Sequence, residues 1–156
     1  MAELKVGDRA PAFALRDQHG DTVKLADYQG RKLLVYFYPK ADTPGCTTQS
    51  CAVSEALEPL KAAGADAVGI SPDEPEAQRA FDEKFKLGFP LLCDTDHAVA
   101  EAYGVWGEKS MYGKTYMGIA RSSFLVGEDG RLLGVWYKVS PKDTVPNVQA
   151  VLDGRG

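Results

Sequence analysis

The run Leu33-Leu34-Val35-Tyr36-Phe37-Tyr38 is apolar throughout and is closed by Pro39. A half-exposed strand alternates polar and apolar side chains. A strand without that alternation is covered on both faces, as at the centre of a parallel or mixed sheet. The run is also far too short to span a membrane. It therefore demands layers of structure on either side. Ala67-Val68-Gly69-Ile70 reads as a second buried strand. Between the two, Thr43 suits a helix N-cap and Pro44 the first helical position. Val53, Ala56, Leu57 and Leu60 then share one face, with Gly64 as the stop. Ser71-Pro72-Asp73-Glu74 carries a capping-box pattern, which predicts a helix turning Ala77, Phe81 and Phe85 inward. A further helix containing Val99, Ala102 and Tyr103 takes Asp94 or Asp96 as its cap.

The ends of the chain have a different pattern. Phe13 to Leu25 predicts a short hairpin around His19-Gly20-Asp21, and a second hairpin runs from Ser123 to Tyr137 around Gly127-Glu128-Asp129-Gly130. A last helix begins near Ser140-Pro141-Lys142-Asp143 and turns Val145, Val148 and Leu152 to the core. Strands separated by helices, then a hairpin and a helix, predict an α/β layered fold. At 156 residues the expectation is one domain spanning 1–156, with no linker.

Hydrophobic residues make up 44% of the chain and charged residues 26%, the balance of a soluble protein with a real core. A formal charge of −4 argues against nucleic acid or an anionic membrane as partner, because both reward a basic surface. Met1-Ala2-Glu3-Leu4-Lys5 has no apolar stretch behind a charged region, so a cytoplasmic protein is expected. His19 and His97 lie far apart and suggest no metal site. No phosphate loop or flavin motif is visible, so no cofactor is expected.

Three cysteines are too few, and odd in number, for a disulfide scaffold; in a reducing compartment such thiols are catalytic, redox-active or buried. With Thr43 as N-cap, Cys46 is the third helical residue. There, unpaired backbone N–H groups and the positive end of the helix dipole favour a thiolate. Cys51 follows five residues later, after about 7.5 Å of rise and about 140° of rotation. The Cα atoms are then roughly 8.6 Å apart, beyond the reach of a disulfide. Either the two never pair or the first turns of the helix unwind. Cys93, behind the apolar Pro90-Leu91-Leu92, has no helix-start signature and reads as a buried structural thiol.

Pro39-x-x-x-Thr43-x-x-Cys46 resembles the active-site motif of peroxiredoxins. The longer string Phe37-Tyr38-Pro39-Lys40-Ala41-Asp42-Thr43-Pro44-Gly45-Cys46-Thr47 resembles the PrxQ, or bacterioferritin comigratory protein, branch. The likeness runs from Val6-Gly7-Asp8-Arg9-Ala10-Pro11 through Ala102-Tyr103-Gly104-Val105-Trp106 to the last hairpin. It implies a thioredoxin-like fold: a central mixed β-sheet flanked by helices, with an N-terminal β-hairpin extension. It also implies a thiol peroxidase that reduces hydrogen peroxide and organic hydroperoxides at Cys46. Thr43, Pro39 and Arg121 would complete the catalytic site, with Thr43 offering a hydroxyl and Pro39 shielding the oxidised sulfur. Cys51 would be the resolving thiol of an atypical 2-Cys enzyme. The implied reductant is thioredoxin or a related dithiol protein, and the implied state is a monomer. Two rivals are weaker. A disulfide reductase normally uses Cys-x-x-Cys, whereas this chain has Cys-x-x-x-x-Cys. A non-enzymatic binding module would not need Cys46. Trp106, Met111, Tyr116 and Met117 would line either an apolar approach or the core.

Overall fold

In the computed structural model, which describes residues 3–154 apart from the Met111 side chain, strands and helices alternate through the middle of the chain. The chain opens with β1 (Ala14–Arg16) and β2 (Thr22–Lys24), followed by the central strand β3 (Lys32–Phe37). Helices α1 (Pro44–Glu55) and α2 (Leu57–Ala62) lead to β4 (Ala65–Ser71), and α3 (Pro75–Phe85) to β5 (Leu91–Cys93). Then come α4 (Ala98–Ala102), the ribbon β6 (Trp106–Met111) and β7 (Lys114–Ile119), the hairpin β8 (Ser122–Val126) and β9 (Leu132–Trp136), and α5 (Thr144–Leu152).

Seven strands form one mixed sheet in the order β2-β1-β5-β4-β3-β8-β9. β3, β4 and β5 run parallel, which requires crossovers, and α1–α2 and α3 supply them. β8 returns antiparallel beside β3, and the N-terminal hairpin joins the far side through Arg16 opposite Cys93. The apolar run is covered on both faces, as its lack of alternation requires. Leu33, Val35 and Phe37 enter one core with Val68, Ile70, Tyr103 and Phe124. Leu34, Tyr36 and Tyr38 enter the other, where Val53, Leu60, Phe81 and Val148 bring in α1, α2, α3 and α5.

Several elements depart from expectation. The helix expected from Thr43 to Gly64 is broken at Ala56, where φ is −91° and ψ 1°. Pro59 explains the break: it has no N–H for the carbonyl four residues back, and its ring crowds that carbonyl. Ser71 to Glu74 form no capping box. Ser71 and Asp73 bond to each other, the helix starts at Pro75, and its N-cap is Glu74. Starting there turns Gln78 and Phe81 inward and leaves Ala77 exposed. Asp94 and Asp96 both hold the start of α4, through the N–H groups of Val99, Ala100 and Ala98.

The β6–β7 ribbon stands apart from the main sheet. Tyr116 and Met117 are exposed on it, so neither belongs to the core. The Met111 side chain lies outside the described residues. Trp106, at the root, stacks face to face on His97 with ring centroids 3.9 Å apart.

Candidate active site

The sheet register sets this site. β3 ends opposite Ser122 of β8, with Phe37 as its partner. The residue before Ser122 therefore lies just past the carboxyl end of β3, where the chain turns through Pro39–Thr43 into α1. Ends of this kind are where open α/β sheets gather functional groups. The Arg121 carbonyl is fixed there by the Val139 N–H at 2.9 Å.

Thr43 is the N-cap of α1 and Pro44 its first residue, so Cys46 occupies the third helical position. The first i→i−4 bond is Thr47 N–H to the Thr43 carbonyl, at 2.8 Å. Pro44 has no N–H, and the Gly45 and Cys46 N–H groups precede that first bond. No side chain caps them. The Thr43 hydroxyl instead donates to the Lys40 carbonyl at 2.8 Å. Its lone pairs, not its proton, are what it has left for a ligand.

Arg121 Nη2 lies 3.3 Å from Cys46 Sγ, and Nη1 donates to Gln49 Oε1 at 2.7 Å. The two ends of one planar fork thus hold the sulfur and an amide oxygen, an arrangement available to arginine and not to lysine. Gly45 leaves room for the fork. A Cβ at that position would stand 2.9 Å from Arg121 Nη2 and 3.4 Å from Pro141 Cγ. Cys46 and Gln49 are fully buried, whereas Pro39, Thr43 and Gly45 are half-buried. Gln49 has no part in the sequence reading. Its signal is the i, i+3 spacing from Cys46, which puts both on one helix face.

The other two thiols differ. Cys51 is half-buried on the same continuous helix as Cys46, and burial, with Glu55 adding, pushes its pKa upward. Cys93 is buried on β5. Burial first, then Asp73, Glu74 and Asp17, push its thiol up to about 12, which suits an inert structural sulfur. A cavity of about 300 Å³ beside Tyr28, Leu33 and Gly127 lies at the opposite, amino-terminal end of β3 and has no thiol in its lining. No helix among the described residues is long and apolar enough to cross a membrane.

Residues 6–134 match the model of the AhpC/TSA family. Peroxiredoxin Bcp of Escherichia coli (strain K12) is 56% identical over 132 residues, 85% of each chain. Peroxiredoxin Bcp of Bacillus subtilis (strain 168) is 46% identical over 142 residues, 91% of this chain and 90% of that one. A structure of the bacterioferritin comigratory protein of Xanthomonas campestris superposes with a TM-score of 0.88 at 34% identity, over 96% of this chain and 98% of that one. It is described as giving insight into the alkyl peroxide reduction activity of that protein. Family match, identity and fold agree: the chain belongs to the AhpC/TSA family and is a peroxiredoxin of the Bcp/PrxQ branch.

Proposed function

We propose that the protein is a thioredoxin-dependent peroxidase in which Cys46 is the peroxidatic residue and Cys51 the resolving one. The observation that carries this is the guanidinium of Arg121, 3.3 Å from the Cys46 sulfur at the start of α1. Cys46, as thiolate, attacks the nearer oxygen of a hydroperoxide. An S–O bond forms as the O–O bond breaks, and the departing oxygen takes up a proton to leave as water or an alcohol. The negative charge developing on that oxygen meets the Arg121 charge and the Gly45 and Cys46 N–H groups. The Thr43 oxygen accepts the O–H of the bound peroxide. Pro39 covers the resulting sulfenic acid. Hydrogen peroxide and organic hydroperoxides are both substrates, in keeping with the alkyl peroxide reduction described for the Xanthomonas campestris relative.

The sulfenic acid then condenses with the Cys51 thiol, releasing water and forming a disulfide. The wound helix keeps the two Cα atoms roughly 8.6 Å apart, so the first turns of α1 unwind for this step. A dithiol protein of the thioredoxin type reduces the disulfide by exchange, transferring two electrons. The link closes within one chain, so the protein works as a monomer, with 1–156 as one domain in the cytoplasm.

One equivalent of hydrogen peroxide is added to the reduced protein, thiols are counted, and products are mapped by mass spectrometry. Loss of two thiols, with Cys46 joined to Cys51 in a monomer, is expected, as is NADPH consumption with thioredoxin and its reductase. A Cys46–Cys93 link would overturn the resolving role of Cys51 alone. Survival of all three thiols, while free cysteine in the same buffer is oxidised, would sink the peroxidase.

A further inference from the structure

Arg121 does not hold its position alone. Gln49, which receives its Nη1, is tied on its other side to Thr144, the first residue of α5, with Nε2 donating to Thr144 Oγ1 at 2.9 Å. Gln49 and Thr144 are both fully buried, and they lie 95 residues apart in sequence. The carboxamide has two unlike ends. Only its oxygen can face a guanidinium, because the amino end would set donor against donor. Once the oxygen faces Arg121, the buried amino group needs an acceptor on the far side, where no water competes. Thr144 Oγ1 is that acceptor. Without it the amide turns to find a partner, and Arg121 loses the brace that aims it at the sulfur.

We propose that Thr144 is a positioning residue for peroxide reduction: its hydroxyl oxygen fixes the orientation of the Gln49 amide, which fixes the Arg121 guanidinium at Cys46. The proposal rests on the peroxidase function above. The C-terminal segment is seated to do this. A turn of 3₁₀ helix, Pro141–Asp143, leads into α5 and brings Pro141 over Gly45, so both ends of the segment bear on the same helix.

The test compares the reduced wild-type protein with Thr144→Val and Thr144→Ser. Two rates are measured for Cys46: oxidation by hydrogen peroxide, and alkylation by iodoacetamide, which has no departing oxygen for Arg121 to stabilise. Thr144→Val keeps the shape and removes the acceptor. Its peroxide rate is expected to fall about tenfold, with a smaller change in the iodoacetamide rate, so that the ratio of the two drops. Thr144→Ser restores the ratio. In a Gln49→Glu background, where either carboxylate oxygen can face Arg121, Thr144→Val should leave the ratio unmoved. An unchanged ratio in Thr144→Val overturns the proposal, as does a serine variant as impaired as the valine one. Should valine not fold, Thr144→Ala carries the same comparison. A wild-type protein no faster than free cysteine with peroxide would overturn the peroxidase function itself, and the proposal with it.

Discussion

Arg121 engages a partner at each end of its fork, and that fixes what a substitution does. A lysine keeps the charge but offers one ammonium, which cannot reach both Gln49 Oε1 and Cys46 Sγ. Arg121→Lys is expected to slow oxidation of Cys46 by peroxide about a hundredfold, measured by stopped flow. A rate within twofold of wild type would mean that charge alone suffices. Cys93 bears on stability instead. Its thiol, ordinarily near 9.0, is pushed up to about 12 in the folded protein. The proton it retains contributes stability that is complete below pH 9 and is lost as the pH rises through about 12. Urea midpoints across that window should fall less steeply in Cys93→Ala than in wild type, and parallel slopes would refute the assignment. At this scale the sequence is informative about Cys46, because a helix start is a local signal. It is silent on Gln49 as a partner of Arg121, because that contact depends on which strand lies beside which.

Helix α1 holds Thr43 at its cap, Cys46 in its first turn, and Gln49 and Cys51 farther along. Its one glycine, Gly45, lies against Arg121. In Gly45→Ala the new methyl would meet Arg121 Nη2 at 2.9 Å, and the guanidinium is the part free to yield. Alanine also favours a helix over glycine by roughly 1 kcal/mol. Gly45→Ala is therefore expected to lower peroxide reactivity several-fold without lowering the melting temperature. A fall in melting temperature with unchanged reactivity would contradict it. The start of α1 was legible because Thr43-Pro44 is local chemistry. Its end at Ala56 was not, because apolar spacing runs on smoothly through Leu57 and Leu60 and only Pro59 marks the break. Likewise Ser71 satisfies the capping-box pattern, but its hydroxyl is engaged by Asp73 and Gln78 on the buried side of β4.

The whole molecule is two cores on one sheet, and Phe124 shows how closely the larger elements depend on one another. Its ring lies 5.9, 5.1 and 5.3 Å from those of Phe37, Tyr103 and Tyr137, which join β3, the end of α4 and the end of β9. Phe124→Ala is expected to cost about 3–5 kcal/mol, read by urea unfolding, and a loss under 1 kcal/mol would mean that this core is not shared. The layered α/β class followed from unbroken apolarity in β3. The β6–β7 ribbon did not, since beyond its root, where Trp106 stacks on His97 and Ile119 enters the core, its described residues are exposed or half-buried. The order of the parts along the chain has a consequence for synthesis. A ribosome releases the chain from its N-terminus, so Cys46 emerges well before Arg121, and Thr144 follows later still. β3 waits equally long for its neighbour β8. A nascent or truncated chain ending before residue 121 carries the cysteine without the guanidinium that faces it in the finished protein. Fast peroxide reactivity should therefore arise only once residue 121 has been made, and shorter chains should react no faster than free cysteine.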